Sequence, residues 1–451
     1  MPQIANLIPL ARLAALADAA DLDLLPPAGA SPHVVRWDIL PAIDDGLVCA
    51  RLRVDALRVM AMAQDARFLG GSIGANHAAA LQRMFELAHD ERPDVVLLLV
   101  DSGGVRLHEA NPAELALARA LRSLFDLRGA GVATLAIVTG AAFGGASVLA
   151  AACAHLRFVP HARFGLSGPG VIETAQGQAE FDAGDATAVT GLFGAAARVA
   201  AGIGAPVDDN AGAMRDAIRT AAGNPVRLDA TTMDAWDATL AARLAAIGQA
   251  PRAAPEARPA LAFFADAQPV DANRWLWRMR DSDVHLLRAL APYAFDPAVA
   301  VAIATAVREH LPSQAPLVIV EDSPGHATTR AAEMLGVSLY LAAHAARIAL
   351  LQQDGHAVLG LLTGCGHSAA FFVNALQAAT LDVLRAARIE AMVPEAIARV
   401  TRLPAEALAA LIEGDALLGQ PVRHLAAHGG VAVTHRNVSR ETLLARVAAL
   451  R

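Results

Sequence analysis

One pattern occurs twice in this sequence and constrains it most. Residues 95–100 form an unbroken apolar run that ends on Asp101 and passes straight into Ser102-Gly103-Gly104. Residues 317–320 form a second run, ending on Glu321-Asp322 and passing into Ser323-Pro324-Gly325. A short run with no polar face, closed by an acid and a small-residue loop, suits a strand buried on both faces, and such strands belong to parallel sheets covered by helices. In each copy a helical stretch follows, then a second buried run (133–139 and 358–362) and a second small-residue turn (140–145 and 364–369). The repetition predicts two copies of one β-loop-α-β-turn-α unit, with right-handed crossovers that make the strands parallel. In the first copy Asn111 is placed to cap the helix, Pro112 suits its first position and Glu114 completes a capping box, so a helix is expected from 111 to about 127. In the second, a helix is expected over 329–351.

A chain of 451 residues exceeds what one core supports, so two domains are expected. Pro251, Pro255, Pro259 and Pro269 break any helix between them. The expected division is a domain over 1–250, a proline-rich linker over 251–262 and a domain over 263–451. All 37 basic residues are arginine, which excludes a Schiff-base cofactor, a phosphate-loop lysine and biotin attached to this chain. A net charge of −7 argues against a nucleic-acid partner. Cys49, Cys153 and Cys365 lie far apart, which suits a reducing cytoplasm and gives neither a disulfide framework nor a metal site. The apolar N-terminus is interrupted by Asp18, Asp21 and Asp23 and reads as an amphipathic helix without an export signal. Residues 129–155 carry no charge and are long enough to span a bilayer. With Gly140, Gly144 and Gly145 in their middle they read instead as strand, turn and helix, and no membrane role is expected.

Four small-residue loops could present backbone N–H groups to a ligand: Gly70-Gly71-Ser72, Gly103-Gly104, Phe143-Gly144-Gly145 and Ser167-Gly168. Without a Cβ the chain approaches a ligand closely, and an adjoining helix N-terminus adds positive potential, which is what an oxyanion needs. Taken singly, a glycine pair serves a tight turn as readily. Gly103-Gly104 is the strongest candidate because parallel sheets hold their ligands at the C-terminal ends of strands. Ser102 or Ser167 as a nucleophile is an alternative, although no His-Asp partners follow in order. Arg106 and Glu109 read as an ion pair that fixes the loop, with an acid-base pair as the alternative. In the second half His367-Ser368-Ala369-Ala370 opens a helix, where Ala369 and Ala370 would offer a second oxyanion hole. His326 and His367 stand where they could move a proton or serve only packing.

The strings GGSIG at 70–74, DSGGVRLHEAN at 101–111, AFGG at 142–145, LSGPGVIE at 166–173 and AEFDAGD at 179–185 resemble the β subunit of biotin-independent malonate decarboxylase. VEDSPGHATTRAAEMLG at 320–336, GHSAAFF at 366–372 and MVPEAIARVT at 392–401 resemble its γ subunit, so the chain looks like the two fused. The resemblance implies an α/β fold of two crotonase-like ββα-spiral domains whose facing surfaces form one active site. It also implies a malonyl thioester substrate, carried on the phosphoribosyl-dephospho-CoA arm of an acyl carrier protein subunit and decarboxylated to an acetyl thioester without biotin. Expected partners are that carrier subunit, an α-like acyl-carrier transferase and further copies of this chain. By position Gly103, Gly104, Ala369 and Ala370 would be catalytic, with Gly70, Gly71, Ser72, Phe143, Gly144, Gly145, Ser167, Gly168, His367 and Ser368 around the substrate. The chain departs from the family at Ala142, where a cysteine is usual, at Gly170, which replaces a glutamate, and at Ala369, where the family has glycine. A carboxyltransferase served by a separate biotin carrier, a serine hydrolase and a non-catalytic thioester-binding scaffold are the competing readings.

Overall fold

A computed structural model of the chain describes residues 3–18 and 21–451, apart from the side chains of residues 396, 400 and 405. The chain divides into two compact units. The first comprises Met1–Glu109, Arg119–Thr232 and Thr328–Ala342, the second Ala110–Ala118, Met233–Ala327 and Ala343–Arg451. The N-terminal stretch forms a helix over Pro9–Leu16, while residues 19 and 20 of that stretch lie outside the described residues.

The sheet of the first unit runs in the order Leu22–Leu24, Leu47–Val54, Leu57–Gln64, Val95–Ser102, Ala133–Ala142, His155–Phe158 and Ala205–Pro206, and Arg163–Phe164 also pairs with Ala133–Ala142. Its first two junctions are antiparallel and the rest parallel. The sheet of the second unit runs Gln268–Pro269, Leu276–Arg278, His285–Leu287, Leu317–Glu321, Val358–Leu362, Thr380–Leu384 and Val433–His435. Here too the first two junctions are antiparallel and the others parallel. The two sheets therefore share one plan, the repeating α/β spiral that the duplicated sequence pattern anticipates.

Sequence explains the centre of each sheet. Residues 95–100 have at most 1% of their surface exposed, because helices cover both faces of that strand and a polar side chain would face no water on either. The second core gathers Phe263, Phe264, Trp277, Leu286, Val318, Val320, Leu359 and Leu361. Residues 251–262 are bound to the second unit. Arg252 N–H donates to Ala298 O, Ala254 N–H to Asn273 O, and Trp275 Nε1 to Arg252 O at 2.7 Å.

Two local expectations need correction. The helix expected from Asn111 begins at Ala110 and runs to Gly129, with Glu109 at its cap position and no side-chain cap. Asn111 Nδ2 instead donates to Gly419 O at 2.8 Å and Glu114 is buried, so the capping box does not form. Tertiary partners outbid the local motif. The helix expected over 329–351 is two helices, Arg330–Leu335 and Val337–Gln353, divided at Gly336 with φ +74°. Glycine takes that left-handed conformation without a Cβ clash.

Candidate functional site

The strand-end loops of the two units agree atom by atom. Asp101 Oδ1 accepts the Ala141 N–H at 3.0 Å, and Asp322 Oδ1 accepts the Cys365 N–H at 2.9 Å. Each carboxylate fills the space of a missing Cβ, since one built on Gly140 would lie 2.1 Å from Asp101 and one on Gly364 would lie 2.2 Å from Asp322. Ser102 Oγ accepts the Gly104 N–H at 3.1 Å, as Ser323 Oγ accepts that of Gly325 at 3.0 Å. The carbonyls of Gly104 and Gly325 accept from Ile73 and Phe295, both at 2.8 Å. Gly104 and Gly325 stand at φ +107° and +98°, where a side chain would be strained.

The same correspondence equates Phe143 with His367 as the residue preceding a helix, and Gly144 with Ser368 as its first turn, both at φ +52°. The next residues, Gly145 and Ala369, then occupy equivalent second positions. Their N–H groups, with that of Ala370, have no acceptor among the described residues, as first-turn helix amides do not. These are the amides free to receive a ligand.

Several of the other sequence-derived candidates are engaged. Gly103 N–H donates to Gly70 O at 3.0 Å, Gly71 N–H to Phe68 O, Ser72 N–H to Leu69 O and Gly144 N–H to Leu166 O. Gly103 thus closes its loop onto Gly70 and does not present its amide, which corrects the expectation for that residue. Gly104 N–H donates to a side chain, Ser102 Oγ, where Gly103 donates to backbone. Ser102 is fully buried with its Oγ on this amide, and Phe143 packs its ring edge-on against Phe193 at 5.6 Å. Ser167 N–H donates to Glu333 Oε1 at 2.6 Å, and Gly168 precedes the helix Pro169–Gln176. Glu333 also accepts from Leu166, so this loop holds a carboxylate of its own unit.

Buried charge supports the first loop. Arg106 reaches Asp45 at 2.6 Å and Glu109 at 2.9 Å, all three side chains at 0% exposure, which is the loop-fixing ion pair. Glu109 also accepts from Ala75 N–H, and Asp45 from His77 N–H, both at the start of the helix Ala75–Glu91. Burial pushes Asp45 up to about 6, against the pull of Arg106, and holds His77 down at about 3. Burial likewise raises Glu333 to about 7.

In the second unit the strands Cys365–His367 and Arg388–Glu390 pair in parallel, with His367 opposite Glu390. His367 Nδ1 lies 3.5 Å from Glu390 Oε2, and Gln420 Nε2 donates to Glu390 Oε1 at 3.0 Å. Half-buried His326 reaches Ser368 Oγ through Nδ1 at 3.4 Å, and desolvation pulls it down to about 4. Burial and the carboxylates of Glu390, Asp322 and Glu321 push the Cys365 thiol up to about 12, so it stands beside His367 and Glu390 as an S–H. Further in, Asn374 Nδ2 donates to Glu321 Oε2 at 2.6 Å and Asn374 Oδ1 meets His344 Nε2 at 2.9 Å. Glu321 and Glu114 are both raised by burial to about 8. Sequence reading missed Glu390, Gln420 and Glu333. Each is brought in by strand register or by a distant helix, and no local motif marks it.

Comparison with known proteins adds an independent line. Residues 295–450 match the family described as malonate decarboxylase gamma subunit, and residues 37–197 match the carboxyl transferase domain. The malonyl-S-ACP:biotin-protein carboxyltransferase of Malonomonas rubra is 34% identical over 171 residues, 34% of this chain and 54% of that protein. The acetyl-coenzyme A carboxylase carboxyl transferase subunits beta/alpha of Frankia alni are 36% identical over 132 residues, 29% of this chain and 22% of that protein. The chain therefore spans about half of the first relative and less of the second. Among solved structures, a Pseudomonas malonate decarboxylase hetero-tetramer in complex with malonate is 32% identical, with 49% of this chain and 84% of that chain covered and a TM-score of 0.47. Among the described residues no helix is long and apolar enough to cross a membrane.

Proposed function

Because this chain belongs to the malonate decarboxylase branch of the crotonase-like carboxyltransferases, with a β-like and a γ-like half in one polypeptide, we propose that it decarboxylates a malonyl thioester held by backbone amides. The observation that carries the reading is the pair of unengaged amides, Gly145 and Ala369, at equivalent positions of the repeat. Loss of the carboxylate throws an electron pair onto the thioester oxygen as an enolate. N–H donors fixed where that charge develops lower the barrier, and removing one costs roughly 10² to 10³ in rate.

Ala369, with Ala370 beside it, is assigned to the enolate oxygen in the γ-like unit. In the β-like unit the donor is Gly145, joined by Gly104 when the Ser102 side chain changes rotamer and withdraws its Oγ. Gly103 has no part in it. Gly70, Gly71 and Ser72 shape the wall, since a Cβ on Gly71 would strike Asp101 O at 1.9 Å. The division of the polypeptide into domains over 1–250 and 263–451, joined by 251–262, is retained as the plan of these halves.

The carrier is proposed to be an acyl carrier protein subunit with a phosphoribosyl-dephospho-CoA arm, loaded by a separate acyl-carrier transferase, in an assembly with more than one copy of this chain. A multisubunit assembly is supported by the hetero-tetramer of the Pseudomonas enzyme. The reaction is proposed to proceed without biotin and in the cytoplasm. One observation favours a second reading, transfer of the carboxylate to a biotin carrier, because the Malonomonas rubra relative is named for that reaction.

The test is to supply the purified chain with malonyl-CoA and with a malonylated carrier protein, with and without avidin, and to follow carbon dioxide and acetyl thioester. Avidin-insensitive product is expected. Product that requires a biotin carrier and disappears with avidin would establish the second reading, and no product from either donor would overturn both.

A further inference from the structure

The decarboxylation leaves a carbanion that needs one proton, and the second unit holds a side chain built to supply it. His367 sits immediately before the helix whose amides at Ala369 and Ala370 are unengaged. Its ring has two close neighbours. Glu390 faces Nδ1 at 3.5 Å from the neighbouring strand and is itself anchored by Gln420 at 3.0 Å. The ring also lies against Gly325, where a Cβ would come within 3.3 Å of His367 Cγ. A carboxylate at Nδ1 fixes that nitrogen as the N–H donor and leaves Nε2 at the far side of the ring, as in other carboxylate-held catalytic histidines. Among the described residues no group bonds to Nε2.

We propose that His367, positioned by Glu390, is the acid that protonates the substrate carbon after carbon dioxide leaves. This rests on the decarboxylase reading above. The bond between the α-carbon and the carboxylate breaks, its electron pair enters the thioester enolate, and carbon dioxide departs. The enolate carbon then takes the proton from Nε2 of the imidazolium, giving the methyl group of the acetyl thioester and a neutral His367. Water returns one proton to the ring, matching the single proton that the overall reaction consumes. Besides Glu390, the ionisable groups beside the ring are His326 and the Cys365 thiol. Burial lowers the pKa of His367 below its ordinary value and Glu390 offsets only part of that fall, so the acid form depends on the added negative charge of a bound malonyl carboxylate.

The experiment compares the whole chain with His367→Asn, His367→Gln and Glu390→Gln, using malonyl-CoA and malonylated carrier protein across a pH series. For the His367 variants kcat is expected to fall roughly 10² to 10⁴ while KM stays within about threefold. The fall in wild-type kcat as pH rises through the pKa of His367 should vanish in those variants and move to lower pH in Glu390→Gln, because the acid form loses its supporting charge. In deuterated water the wild-type chain should exchange the α-protons of acetyl thioester, and the His367 variants should not.

His367 variants that retain wild-type kcat and exchange would overturn the assignment. So would activity abolished by a chelator and restored by zinc, which would give proton delivery to a metal-bound water. Should these variants fail to fold, the imidazole signal of wild-type His367 settles the matter: a ring that stays neutral across the active pH range with a malonyl analogue bound overturns it. A wild-type chain that releases no carbon dioxide from either donor removes the decarboxylase reading itself, a result visible without any variant.

Discussion

Gly144 and Ser368 begin their helices with the same left-handed backbone, φ +52° in each, one as a glycine and the other as a residue that resists it. In each unit this turn precedes an amide with no acceptor among the described residues, and the second unit makes it with a strained residue. Gly144→Ala is therefore expected to cost about 1 kcal/mol and Ser368→Gly to gain up to about 1 kcal/mol, since an L-residue in this region is disfavoured by roughly that amount. Urea denaturation of the two variants checks the opposite signs.

Removing those amides tests the mechanism directly. Gly145 and Ala369 occupy the first helical turn, where proline is tolerated because no intrahelical bond is lost. Gly145→Pro and Ala369→Pro should each lower kcat by roughly 10² to 10³. Gly104→Pro is a poor probe by comparison, because φ +107° is closed to proline. Steady-state kinetics together with circular dichroism separates lost chemistry from lost structure.

Among the described residues Arg106 is the only cation paired with the buried carboxylates of Asp45 and Glu109. Arg106→Met leaves both negative charges uncompensated and should cost about 3 to 5 kcal/mol, enough to reduce the yield of folded protein. Asp45→Asn should cost less, since Arg106 would keep Glu109. Chemical denaturation of both variants gives the order.

Glu114 and Glu321 make stability fall as pH rises. Burial raises both to about 8 in the folded chain, above the value of about 4.5 for an exposed glutamate, so the folded state binds more protons than the unfolded one. Their contribution is fully present below pH 4.5 and is lost as pH climbs through 8. Glu114→Gln removes one of the two titrations, and its unfolding midpoint should decline less than that of wild type between pH 6 and about 9. Denaturant melts at a series of pH values would show parallel curves if the pair were not responsible.

The Glu333 carboxylate on the Leu166 and Ser167 amides predicts a further linkage of the same sign. Burial sets it near 7, so stability from this group is present below about 4.5 and lost as pH rises through 7. Glu333→Gln should flatten that decline and keep the loop, because the amide oxygen can still accept one of the two N–H groups. Hydrogen exchange at Leu166 and Ser167 reports whether the loop holds.

The duplicated architecture was legible in the sequence because it rests on uninterrupted apolar runs, and a strand covered on both faces can be written in little else. The loops after those runs were legible for a related reason, as Gly104 and Gly144 meet backbone that a side chain would strike or sit in conformations that a side chain resists. Which partner each amide of a loop takes was not legible. Gly103 looks equal to Gly104 in the sequence, yet its N–H is taken by Gly70, a carbonyl from a separate loop. Glu390 was invisible because it meets His367 only through strand register, 23 residues further along the chain. The capping box at Asn111 failed for the converse reason: a correct local signal was overridden by Gly419, far away in sequence.

The carboxylates that fill the places of Cβ atoms at Gly140 and Gly364 bear on how this chain can vary through descent. Neither glycine can acquire even a methyl group while its aspartate remains, and neither aspartate can retreat without unbinding the Ala141 or Cys365 amide. Each pair is therefore coupled, and a change in either member alone costs packing or the amide bond. The two copies have meanwhile diverged where no such lock operates: Pro324 stands where Gly103 stands in the other half, at a position whose amide reaches a neighbouring loop in one copy and does not exist in the other.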